Sequence, residues 1–137
     1  MEFDPQRDYP LRERRPDLVR TPSGLGLGEV TLAGLRAGAF GAEELRATPE
    51  TIRRQAAVAR AAGRDPLARN LERAAELAGI DAETVLAVYT ALRPGRSTGE
   101  ELEGWAARLD GELAAPLNAA FVREAAAHYA RRGLLGT

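Results

Sequence analysis

One histidine, no cysteine and no lysine bound the chemistry open to this sequence. Without cysteine there is no disulfide, no thiolate nucleophile and no thiolate zinc site. Without lysine there is no Schiff base and no phosphate-gripping amine; we read the all-arginine usage as compositional. His128 therefore carries any imidazole chemistry by itself. Glu124 lies one helical turn earlier on the same face, but spacing supplies no further metal ligand. A lone imidazole also makes neither a histidine cluster nor a motif-placed Ser-His-Asp triad. The acid pairs Glu43-Glu44 and Glu100-Glu101 fall in first helical turns, where carboxylates complement the helix dipole. The alternating glycines of "SGLGLG" (Ser23 to Gly28) lack the strand and βαβ unit that a dinucleotide fingerprint needs. Arg7, Arg12, Arg14 and Arg15 interleave with Asp4, Asp8, Glu13 and Asp17. Mixed signs at that spacing suit ion pairs with a protein surface better than phosphate tracking.

"ALRPGRST" (Ala91 to Thr98) stands apart. Arg93 sits where a helix ends and a cation is favourable. Gly95 gives the turn its freedom, and Thr98 with Glu101 makes a capping box. Arg96 alone has no folding role that the sequence reveals. Held by Pro94 and the capped Thr98, it presents a fork of donors suited to a carboxylate.

The elements that must position these groups are helical. A length of 137 residues fits one domain, and a formal net charge of −1 provides no basic field for nucleic acid. No apolar run approaches the roughly 20 residues that span a bilayer, and "MEFDPQRDYP" does not read as a signal peptide. Alanine dominates the apolar residues; it favours helix but buries little surface, so the core is expected to be thin. Residues 1–47 form an irregular, extended arm with short helical turns. Its prolines at 10, 16 and 22 enforce extended backbone before them, and Phe3, Tyr9, Leu11, Leu18 and Val19 anchor it to a surface. "GEVTLAGLRAG" ends at Gly38, and "AEELR" makes one more turn. Residues 48–137 form a small open bundle of four to five helices. Thr48-Pro49 and Asp65-Pro66 start two of them, Asp81 caps a third beside an Ile80–Val85 staple, and Thr98 opens a fourth. Pro116 breaks that helix or begins a fifth. Gly63, Gly79 and Gly133 are the stops. The expected inward stripes are Ile52, Ala56 and Ala59; Leu67, Leu71, Ala74, Ala75 and Ala78; Val85, Val88, Tyr89 and Leu92; Leu102, Trp105 and Leu109; and Leu117, Phe121, Ala125 and Tyr129.

Five stretches carry a likeness to a known family: "DYPL", "RPDLVRTPSG", "RNLERAAEL", "VYTALRPGRST" and "NAAFVREAA". In this order they resemble the small (gamma) subunit of adenosylcobalamin-dependent diol and glycerol dehydratases, over nearly the whole chain. The family pattern carries an aromatic or hydrophobic residue where this chain has Gly95, and larger aliphatics at several of its alanines. The resemblance implies a helical, non-catalytic subunit with no catalytic, cofactor-binding or metal residues of its own. It implies large and medium partner subunits and a heterohexamer with two copies of each chain. The large subunit is a TIM barrel that holds the diol and a metal ion, and adenosylcobalamin lies between it and the medium subunit. The complex converts propane-1,2-diol to propanal, or glycerol to 3-hydroxypropanal. Within the shared motifs, Tyr9, Pro10, Leu11, Arg15, Pro16, Pro22, Arg93, Arg96, Ser97 and Arg123 are the expected subunit contacts. The short stretch before Tyr9 points to a cytoplasmic complex, closer in outline to glycerol dehydratases, rather than one packaged in a microcompartment. The alternative is a free-standing helical adaptor or regulatory protein.

Overall fold

The computed structural model describes residues 2–137. They are all-α: no strand occurs among the described residues, and the only bridge is an isolated one between Arg20 and Gly26. Two compact units divide them, one reaching to Ala75 and one spanning Glu76–Thr137. None of the helices described is long and apolar enough to cross a membrane.

The first unit begins with turns. A short helix α1 (Leu11–Arg14) is followed by a 3-10 turn at Pro16–Leu18, a short helix α2 (Leu32–Arg36) and a second 3-10 turn at Ala42–Leu45. Thr31 caps α2, its hydroxyl accepting from the Gly34 amide at 3.0 Å. Helix α3 (Pro49–Ala61) starts as its sequence predicts, with the Thr48 hydroxyl accepting from the Thr51 amide and Pro49 in the first turn. Helix α4 (Asp65–Leu77) starts one residue earlier than its Asp-Pro signal suggests, because the Arg64 carbonyl already accepts from the Ala68 amide. The buried positions here are alanines: Ala56 and Ala59 on α3, Ala68 and Ala75 on α4. Ala68 and Ala75 are two turns apart and share a face. Leu67, Ala74 and Ala78 stay exposed, which corrects their expected inward place.

The second unit holds α5 (Ala82–Ala91), α6 (Gly99–Asp110), α7 (Pro116–Arg132) and the C-terminal tail. Asp81 caps α5 through the Thr84 amide at 2.8 Å. The capping box of α6 is complete: Thr98 accepts from the Glu101 amide while the Glu101 carboxylate accepts from the Thr98 amide at 2.8 Å. The core is built from Val88, Leu102, Ala106, Leu109, Ala119 and Val122, with Trp105 and Tyr129 packed against it.

Two expected stripes are displaced. Tyr89 is 74% exposed on α5, and Leu117 and Phe121 are exposed on α7, whose buried residues are Asn118, Ala119 and Val122. A helix turns every 3.6 residues, so a row of every fourth residue drifts by about 40° per step. The row from Leu117 to Tyr129 therefore sweeps round the helix, and only its Tyr129 end meets the core.

The start of α7 is held from a distance. Ala115, at the N-cap, offers no side-chain acceptor. The Glu76 carboxylate takes that role, accepting from the Leu117 and Asn118 amides, both at 2.9 Å, and from the Asn118 side-chain amide at 2.6 Å. An anion at this position satisfies amides that the helix itself leaves open.

Candidate docking surfaces

The expected contact residues other than Arg123 fall in two regions, the arm of the first unit and the α5–α6 corner of the second. In the first, the arm is folded around a buried carboxylate. Asp8 is 4% exposed and accepts from the Asp4 amide at 3.0 Å, from Arg7 at 2.7 and 2.8 Å, and from Arg15 at 3.2 Å. The Arg7 guanidinium, then the Asp4 amide, hold the Asp8 carboxyl well below the usual carboxylate range. Arg15 also pairs with Asp17 at 2.8 Å, so this expected contact residue is engaged inside the arm. Arg14 donates to the Arg7 carbonyl, and Arg54 on α3 reaches the Leu18 carbonyl at 2.7 Å. These bonds fasten a segment with little core of its own. Of the interleaved charges near the N-terminus, Arg7, Asp8, Arg15 and Asp17 thus pair among themselves.

Tyr9, Pro10 and Leu11 then face a groove of about 890 Å3 that is also lined by Val58, Leu67 and Leu71 of α3 and α4. The Tyr9–Pro10 peptide is cis. Pro16 and Pro22 are exposed beyond the groove. The glycine stretch "SGLGLG" closes a local loop: Arg20 donates to the Gly24 carbonyl and the Gly26 amide to Glu29. Glu44 accepts from the Ser23 hydroxyl at 2.8 Å, and the Thr21 and Ser23 hydroxyls hold it below its ordinary range.

The second surface is the corner between α5 and α6. Gly95 has φ +75, a left-handed conformation that suits glycine, and its amide donates to the Leu134 carbonyl at 2.7 Å. The Gly136 amide donates to the Ser97 carbonyl at 2.7 Å. A Cβ on Gly136 would meet the Arg96 carbonyl carbon and oxygen at 3.0 and 3.1 Å. The corner is thus clamped by the returning C-terminal tail, a role that its sequence does not announce. Tyr129 adds a third tie, its hydroxyl donating to the Leu92 carbonyl at 2.7 Å. Ser97 is buried, while the Arg93 and Arg96 side chains are exposed and make no hydrogen bond or ion pair with another described residue. Arg96 and Ser97 border a shallow depression beside Leu86, Trp105 and Arg108.

Arg123 lies elsewhere. Its guanidinium spans Glu103 at 3.1 Å and Asp110 at 3.3 Å, tying α7 to α6. His128 and Glu124 are exposed on α7 and line neither surface. Sequence reading named Arg12 only among the interleaved charges of the arm, and missed Arg64 at the groove and Glu76 at the start of α7. Arg64 falls in a connection and Glu76 acts across 41 residues, so no local spacing marks either.

A family model described as dehydratase small subunit matches residues 5–136. The chain is 46% identical over 125 residues to the propanediol dehydratase small subunits of Citrobacter freundii and Salmonella typhimurium, covering 91% of this chain and 73% and 72% of theirs. The chain belongs to the dehydratase small-subunit family.

Proposed function

From that membership, we propose that this chain is the non-catalytic small subunit of an adenosylcobalamin-dependent diol dehydratase, which turns propane-1,2-diol into propanal and water. The observation that carries the docking role is the corner from Arg93 to Thr98. Its backbone is fixed by a capped helix and by two tail hydrogen bonds, while its two guanidiniums are left without partners among the described residues. Rigid, unspent donors lose little freedom on binding a carboxylate or carbonyl. We assign that acceptor to the large, TIM-barrel subunit, with the medium subunit completing a heterohexamer in the cytoplasm. The names of the relatives favour propane-1,2-diol over glycerol, and the family favours a subunit over a free-standing adaptor.

Adenosylcobalamin supplies the radical that drives migration and loss of water. The sole imidazole, His128, is exposed on α7 and lines neither surface, and the groove is lined mainly by apolar side chains. The reading gives the cofactor to the other subunits, as the family resemblance implies. In this account the chain contributes assembly and stiffness. Co-expression with the large and medium subunits tests it: the three chains should purify together and form propanal with adenosylcobalamin, whereas this chain with cofactor alone should form none. Propanal from the isolated chain would refute the non-catalytic role.

A further inference from the structure

The groove of the first unit holds a charge imbalance that folding does not use. The chain has 20 acidic residues and 19 arginines, yet no carboxylate lines the groove; its two charges are Arg12 and Arg64. Both are exposed, and neither side chain makes a hydrogen bond or ion pair with another described residue. Arginines nearby behave otherwise: Arg7, Arg15 and Arg60 each pair with a carboxylate, at 2.7, 2.8 and 2.7 Å. The same groove presents apolar surface that water covers at a cost, with Tyr9 57% and Leu67 45% exposed.

We propose that this groove seats a polypeptide segment of another dehydratase subunit, one with a short apolar run flanked by carboxylates. The apolar side chains lie over Tyr9, Pro10 and Leu67, and the carboxylates pair with Arg12 and Arg64. A small inorganic anion would satisfy the guanidiniums but leave the apolar lining wet. A purely apolar segment would cover the lining and strand the charges. Only a segment with both characters completes the surface. The proposal rests on the subunit reading above and names the chemistry of what this groove receives.

The test installs a photo-crosslinking amino acid at Gln55, which is exposed and lines the groove. The full chain is co-expressed with the large and medium subunits, the complex is irradiated, and the joined peptide is sequenced by mass spectrometry. The expected product joins Gln55 to a segment of another subunit that has apolar residues and at least two carboxylates within about ten residues. Arg12→Glu with Arg64→Glu should lower that yield about tenfold or more, since like charges then face each other, with helix content unchanged as the control. If the double variant misfolds, the identity of the peptide crosslinked by the otherwise unaltered chain still decides. A complex that assembles but gives no crosslink, or one to a segment without carboxylates, or one to a second copy of this chain, overturns the groove proposal and leaves the subunit reading intact. No complex at all overturns both.

Discussion

At the residue scale, Arg96 separates folding from function. Its amide donates to the Arg93 carbonyl at 3.1 Å, and its own carbonyl lies under Gly136, so its backbone serves the fold. Its guanidinium serves nothing within the described residues. Arg96→Ala should therefore keep its helix content yet weaken the complex by about 2–5 kcal/mol, the loss typical of a desolvated charge pair. Arg96→Lys should restore binding only in part, because the fork of donors is gone. Unchanged affinity for Arg96→Ala would return the corner to an ordinary connection. Asp8 behaves in the opposite way, with its charge spent inside the arm. Its folded-state carboxyl is held below the ordinary range, so its stabilisation is complete above the unfolded value near about pH 4. It is lost as the pH falls through the lower folded value. Amide exchange in residues 2–20 should accelerate in acid, and Asp8→Asn should show that acceleration at neutral pH; an arm equally protected in the variant contradicts it. That the Arg96 guanidinium has no partner among the described residues was legible in a turn without any local use for it. Arg123 was not: its carboxylates lie 20 and 13 residues away, beyond any helical spacing rule.

At the element scale, local signals were readable and remote ones were not. Thr48, Asp81 and Thr98 each cap a helix three residues from their acceptor role, within reach of sequence pattern. Thr98→Ala should cost about 0.5–2 kcal/mol in denaturant unfolding. The Glu76 cap of α7 carries no such signal. Removing it leaves the Leu117 and Asn118 amides unmet, and Glu76→Ala should cost about 1.5–3 kcal/mol, the range for bonds to a charged group. A loss below that for an exposed substitution would mean that water replaces the carboxylate. The stripe of α7 was misread by one helical step, and a buried and an exposed side chain can be told apart by stability. Leu109, fully buried, should lose about 2–5 kcal/mol on truncation to alanine. Phe121→Ala should lose clearly less, because its ring is 42% exposed. Equal losses would restore Phe121 to the core.

At the scale of the whole molecule, the chain spends its large apolar side chains unevenly. Among the described residues twelve hydrophobic ones are buried and eight of them are alanine, while Tyr9, Leu67, Leu86, Tyr89 and Phe121 remain exposed. A fold so arranged has unspent apolar surface for a partner. Fold class and family were legible in order-preserving motifs and in capping chemistry. The groove and the clamped corner were not, because each is assembled from segments that sequence leaves unconnected: Tyr9 with Leu67, and Gly95 with Leu134. The central claim is that this chain acts by joining a dehydratase. The direct measurement is the mass of the co-expressed large, medium and small chains by light scattering during size-exclusion chromatography. The account predicts one peak holding all three chains in equal numbers, with the mass of a heterohexamer, whose small chain is lost in the combined Arg12→Glu, Arg64→Glu and Arg96→Ala variant. A small chain that elutes alone, beside a complex of the other two that is fully formed and fully active without it, would contradict it.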